Sequence, residues 1–181
     1  MGAPAMVATA AEQGASPAAR YFTDTELVDQ AGRRHPLYSG LLKDQVVIIN
    51  TFYTSCTDAC PVTMGVVKRI QGHLQDHLNH GVRILSFTVD PETDTPARLQ
   101  AYADQLGVND GWYLLTGDPG DVNAVLKRLG QYTAQPGGHN NILIIGNDRT
   151  GLWKKAFTLS PFDELKSIVD SVVDDPGVSG S

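Results

Sequence analysis

The chain is short of what marks several large classes of protein. Basic residues are outnumbered, with 14 Lys and Arg against 20 Asp and Glu, a formal charge of -6. No basic stripe is left to neutralise phosphates, which argues against a nucleic-acid partner. An acidic surface suits solubility, or docking to a basic partner. No apolar run approaches the length needed to cross a bilayer. Residues 1–20, rich in Ala with Gly, Pro and Ser, lack a basic start, and their longest apolar piece, Ala5 to Ala11, is too short for a signal peptide. The expectation is either an intracellular protein or a chain that begins downstream of a removed signal or anchor. Cysteine is sparse, two residues in 181. A core of this chain length buries roughly two-thirds of the unfolded surface and needs no disulfide framework.

What is present is a hydrophobic content of 41% with 19% charged residues, the balance of a globular domain. The reading is one domain over residues 20–174, a flexible leader over 1–19 and a polar tail over 175–181. Tyr21 to Val28 and His35 to Leu37 read as a strand pair turned at Gln30-Ala31-Gly32. Gln45 to Tyr53 is a nearly continuous β-branched and aromatic run, the mark of a buried strand.

A helix is expected from Pro61 to Asn79, since Val66, Val67, Ile70, Leu74 and Leu78 recur at helical spacing and Gly81 follows as a stop. Val82 to Val89 is the next strand; Thr95 then caps a helix with Pro96 in its first position. Trp112 to Leu115 is a short strand, and Asp118-Pro119 opens a helix running to Leu129. Strands at Ile142 to Ile145 and Leu152 to Phe157, turned at Asn147-Asp148, precede a last helix from Pro161 to Val173. Strands alternating with helices, closed by a hairpin, predict an α/β domain of thioredoxin-like fold. Its central mixed sheet carries helices on both faces, with an added N-terminal β-hairpin.

The two cysteines stand four apart, in Thr54-Ser55-Cys56-Thr57-Asp58-Ala59-Cys60-Pro61, where the buried strand hands over to a helix. A helix N-terminus offers unpaired N–H groups and a positive dipole end, which favour thiolate over thiol. If both cysteines lie in the first turn, their Cβ atoms are about 5–6 Å apart on one face. The sulfurs then reach one ion, or close a disulfide after a small adjustment. A purely structural disulfide around so small a loop constrains the unfolded chain little. Two sulfurs suit Cu(I), and also zinc, but a closed zinc site takes four ligands.

Of the five histidines, His139 is the candidate third ligand. It follows Pro136-Gly137-Gly138 and precedes the strand at Ile142, and in a thioredoxin-like sheet the loop entering that strand lies beside the cysteine-bearing helix start. His73 and His77 are four apart but border an apolar helical stripe, so they read as a helix flank. His80 suits the helix end, and His35 shows no evident partner.

The segment Phe52 to Pro61 resembles the Cys-x-x-x-Cys-Pro signature of the Sco/SenC copper proteins. Three more segments resemble the family in the same order: Ser86 to Pro96, Trp112 to Gly117, and His139 before its strand. The similarity runs from about Tyr21 to Val173. It implies a thioredoxin fold and one copper ion, Cu(I) or Cu(II), held by Cys56, Cys60 and His139. It implies a tethered, extracytoplasmic protein, in bacteria periplasmic. The implied role is in building the dinuclear copper centre of cytochrome c oxidase, as metal donor or as reductant of its cysteines. The implied partners are a copper-accepting protein such as oxidase subunit II, other copper chaperones, and thiol reductants.

Asp90, at the end of its strand, is a candidate for supporting the ligands or docking a partner, and Asp94 for capping the turn that follows. Both also have ordinary structural uses. The alternative function is a thiol–disulfide oxidoreductase or redox-defence enzyme with Cys56 attacking and Cys60 resolving. The three-residue gap counts against it, and no Arg flanks the motif as a peroxidase would require.

Overall fold

The computed structural model describes residues 16–56, 60–138 and 141–177. Ser16 acts as an N-cap, its hydroxyl accepting the Ala19 N–H at 3.1 Å, and Pro17 starts helix α1 (Pro17–Phe22). This corrects the expected strand from Tyr21. The Ser-Pro start outweighs the β preference of Tyr21-Phe22, and the helix buries Phe22 against the sheet. Extended backbone is confined to β1 (Glu26–Val28), which pairs antiparallel with β2 (Arg34–Pro36). The turn between them places Gly32 at φ 80°, left-handed backbone that glycine adopts without strain. A π-helical stretch, Leu37–Leu42, follows and packs Leu37, Leu41 and Leu42 into the core.

The remaining order is β3 (Val46–Phe52), α2 (Cys60–Leu74), β4 (Val82–Thr88), α3 (Pro96–Leu106), β5 (Trp112–Leu115), α4 (Pro119–Arg128), β6 (Ile142–Asn147), β7 (Leu152–Phe157) and α5 (Phe162–Val173). Five strands form one sheet in the order β5-β4-β3-β6-β7. β3 and β4 run parallel, as do β4 and β5, while β6 is antiparallel to both β3 and β7. The hairpin of β1 and β2 forms a separate small sheet, tied to the end of β5 by the Val28–Thr116 bridge.

Alternation along β3 divides the core. Val46, Ile48 and Phe52 face α2, α3 and α5, whereas Val47 and Ile49 face α4 and the π-helical stretch. Burial on both faces explains the continuous apolar run. The predicted caps are present: Thr95 accepts the Arg98 N–H, and Asp118 accepts those of Gly120 and Asp121. The mixed α/β sheet with a closing hairpin is the architecture the patterning implies.

One helix is shorter than its periodicity suggests. α2 ends at Leu74, and the chain turns through Asn79 at φ 60° so that Leu78 bridges Val82. Leu78 is buried there as part of a turn, so an apolar residue in helical register is satisfied without a helix.

Asp29 holds the hairpin turn. Its buried carboxylate accepts the N–H groups of Ala31 (2.9 Å) and Arg33 (3.0 Å), the Arg33 Nε (3.0 Å) and contacts His35 Nε2 at 2.8 Å. Burial pushes its pKa up. The His35 contact, the Arg33 N–H and charge, and the Ala31 N–H outweigh that, leaving the carboxyl below its ordinary 3.8. A lowered carboxyl stabilises the fold fully above the unfolded value and loses that contribution as pH falls through the folded one. In denaturant melts, the midpoint gap between wild type and Asp29→Asn should therefore narrow as pH falls below the ordinary carboxylate range. A constant gap would assign the loss to geometry alone.

Candidate metal and thiol site

The site lies at the C-terminal ends of β3 and β4, where open α/β sheets place their clefts. After Phe52 the chain leaves the sheet through Tyr53, Thr54 and Ser55 and reaches Cys56, whose N–H donates to the Tyr53 carbonyl at 3.2 Å. Cys60 is the first residue of α2, with Pro61 next, as the sequence suggests. Cys56 itself is not in helical backbone, and residues 57–59 lie outside the described residues. The pair is nonetheless close: the Cα atoms are 5.8 Å apart and the sulfurs are joined as a disulfide. The Cys60 N–H points at Cys56 Sγ, 3.3 Å away. Cys60 is buried among Phe52, Met64 and Val67; Cys56 is half-buried against the same cluster.

A buried polar row lies beneath α2. Trp112 Nε1 donates to Ser86 Oγ at 2.9 Å, Ser86 donates to Asn50 Oδ1, and Asn50 Nδ2 reaches Met64 Sδ at 3.2 Å. Met64 lies one helical turn beyond Cys60, so this row ties the first turns of α2 to three strands.

His139 lies outside the described residues, as do 57–59 and Asn140. Its near neighbours are described. On one side, a side-chain carbon added to Gly137 would come 4.0 Å from the Tyr53 hydroxyl. On the other, Thr63 Oγ1 donates to Asn141 Oδ1 at 3.4 Å, while the Thr158 N–H donates to the Asn141 carbonyl at 3.0 Å. Tyr53 precedes Cys56 by three residues and Thr63 follows Cys60 by three. Among the described residues no cluster of three His, Cys, Asp or Glu side chains could hold a metal.

None of the other histidines is placed at the cysteine pair. His73 Nε2 pairs with Asp170 Oδ1 at 2.6 Å, fastening α2 to α5. His77 and His80 lie beyond the end of α2, so the helical i, i+4 pair does not form. His35, with no evident partner in the sequence, meets Asp29.

Asp90 acts here through its backbone. Its N–H donates to Thr88 Oγ1 at 2.9 Å, and its carbonyl accepts from Thr93 and Asp94. Asp94 is the larger surprise. Its fully buried carboxylate accepts from Thr88 Oγ1 at 2.6 Å, from the Thr54 N–H at 3.1 Å and from the Thr54 hydroxyl. Its carbonyl accepts from Thr116 Oγ1 at 2.8 Å. One buried side chain thus fixes the loop into Cys56 against the end of β4. Its charge is felt nearby: burial first, then Asp94, push the Tyr102 hydroxyl pKa up, and that ring stacks on Phe52 at 5.5 Å. Arg98 is also brought to the motif, contacting Thr54 and Ser55. The Thr95-Pro96 cap sets where α3 begins, but no local sequence signal marks either contact.

The SCO1/SenC family model matches residues 13–144. A Stutzerimonas stutzeri protein named as copper-binding is 31% identical over 114 residues, 63% of this chain and 54% of its own length. The SCO1 protein homolog of Bacillus subtilis (strain 168) is 29% identical over 153 residues, 79% of this chain and 78% of its own. The chain thus spans about half of the first relative and over three-quarters of the second. Among solved structures, BsSco is described as a Sco-family cytochrome c oxidase assembly protein in which a disulfide switch is identified. It superposes with a TM-score of 0.66 at 29% identity, covering 81% of this chain and 90% of that one. A family match over most of the sheet and both cysteines places the conclusion beyond the fold alone: the chain belongs to the SCO1/SenC family.

Proposed function

We propose that this protein carries one copper ion on Cys56, Cys60 and His139 and serves the assembly of the dinuclear copper centre of cytochrome c oxidase. The observation that carries this reading is that both described neighbours of His139 come near residues three positions from a cysteine: Gly137 lies close to the Tyr53 hydroxyl, and Asn141 accepts from Thr63. His139 is two residues from Gly137 and two from Asn141, a reach of about 7 Å in extended chain. Two thiolates and an imidazole suit copper, soft sulfur favouring Cu(I) and the nitrogen extending tolerance to Cu(II).

Exchange of copper would proceed by ligand displacement. The half-buried Cys56 is the sulfur an incoming donor ligand reaches first, while Cys60 stays in the core. The recipient in this reading is oxidase subunit II. Asp90, half-exposed beside the site, is a candidate docking residue. We place the protein on the extracytoplasmic side of a membrane, where a disulfide persists. No helix among the described residues is long and apolar enough to cross a membrane.

The Cys56–Cys60 disulfide favours a second reading, thiol–disulfide exchange, in which a dithiol reductant opens the bond and leaves as a disulfide itself. The two readings join if redox state gates loading, because the disulfide withholds both sulfur ligands. Anaerobic titration tests this. The reduced protein should saturate at one Cu(I), and the oxidised protein should bind at least about a hundredfold more weakly, having lost two of three ligands. Equal uptake in both states would reject the cysteines as ligands.

A further inference from the structure

Arg98 lies in the first turn of α3, and its side chain is 50% exposed. Its guanidinium spans two successive hydroxyls just ahead of Cys56. Nε and Nη2 donate to Thr54 Oγ1 at 3.4 and 3.2 Å, and Nη2 donates to Ser55 Oγ at 3.3 Å. The Asp94 carboxylate stands behind it, 3.9 Å from Nε, and accepts the Thr54 N–H. Asp94 thus holds both the N–H and the hydroxyl of Thr54, and Arg98 adds a bridge from that hydroxyl to Ser55.

The oxidised protein has no need of this arrangement, because the disulfide itself fixes Cys56 to α2. Opening the disulfide leaves Cys56 held by its packing and by the grip on Thr54 and Ser55 just ahead of it. There the Arg98 bridge matters, since a ligand that must be ordered on binding gives up affinity.

We infer that Arg98 is a positioning residue for Cys56: it keeps Thr54 and Ser55 in place when the disulfide is open, so that the Cys56 sulfur meets incoming copper already oriented. The proposal rests on the copper reading above and extends it to a residue outside the ligand set. A fork of N–H donors is required, because one ammonium reaches two diverging hydroxyls less well than a planar guanidinium. Arg98 is too exposed to matter much for global stability, so its effect is confined to the loop.

The test uses the full chain with Arg98→Ala and Arg98→Lys. Amide exchange at Thr54, read by NMR without copper, should be unchanged by Arg98→Ala in the oxidised protein. In the reduced protein it should be faster by about tenfold, the equivalent of one charge-assisted hydrogen bond, with Arg98→Lys in between. Cu(I) affinity of reduced Arg98→Ala, by competition with a chromophoric chelator, should fall by about the same factor. The oxidised unfolding midpoint should not move. Wild-type exchange rates in reduced Arg98→Ala would overturn the proposal, as would equal acceleration in both redox states. Failure of the wild type to take up copper, with the exchange pattern intact, would sink the copper reading and leave Arg98 positioning Cys56 for thiol exchange.

Discussion

Cys56→Ser is expected to remove Cu(I) binding at concentrations that only just saturate the reduced wild type. Structural zinc sites gain about 10–16 kcal/mol from four ligands, so each is worth roughly 3 kcal/mol, and loss of one sulfur weakens binding by roughly two to three orders of magnitude. Cys60→Ser should do the same for metal. Cys60 is buried, however, and a hydroxyl in that place also carries a desolvation penalty of about 1–3 kcal/mol. Half-buried Cys56 is therefore the cleaner test. His139→Ala should weaken binding less than either, because Cu(I) prefers soft sulfur to imidazole nitrogen. The order cysteines, then histidine, is the signature of this ligand set. Binding by Cys56→Ser indistinguishable from wild type would end it.

The second large effect belongs to Asp94. Its carboxylate is the acceptor for the Thr54 N–H and hydroxyl and for Thr88 Oγ1, all at the rim of the sheet. Asp94→Ala leaves those donors facing a cavity in a buried place. Unsatisfied buried groups cost about 1–3 kcal/mol each, so a loss of about 3 kcal/mol is expected, or a drop in melting temperature of roughly 10 °C for a domain of this size. Asp94→Asn keeps the shape and one acceptor, and should recover part of the loss. If Asp94→Ala melts like wild type, water replaces the carboxylate and the loop into Cys56 is not held from this side.

The element order was legible because it rests on local chemistry. Thr95-Pro96 and Asp118-Pro119 are cap signatures within three residues, and both helices begin there. β3 could be read from its unbroken apolar run, which only a strand covered on both faces sustains. The same locality caused the errors. Tyr21-Phe22 favours a strand by composition, yet Ser16 caps a helix there whose apolar side has a sheet to cover. Leu78 continues a helical stripe, yet pairing with Val82 buries it equally well.

The site divides along the same line. Cys56 and Cys60, four residues apart at a strand–helix junction, were legible as a pair because their separation is short and their setting local. Asp94 and Thr54 are 40 residues apart, Arg98 and Ser55 43, and Thr63 and Asn141 78. Such meetings depend on which strands become neighbours, and no spacing rule encodes that.

The sequence by itself determined the kinds and order of elements from β3 onward, the family signature and the sulfur pair, since each is written in residues close along the chain. Tertiary structure alone decided that an arginine stands beside the motif, that a buried carboxylate grips the loop into Cys56, and that Asn141 meets Thr63 across the sheet edge. The reason is physical: long-range contacts form only after the sheet has chosen its strand order, and here β4 beside β3 and β6 on its other side bring those loops to one edge.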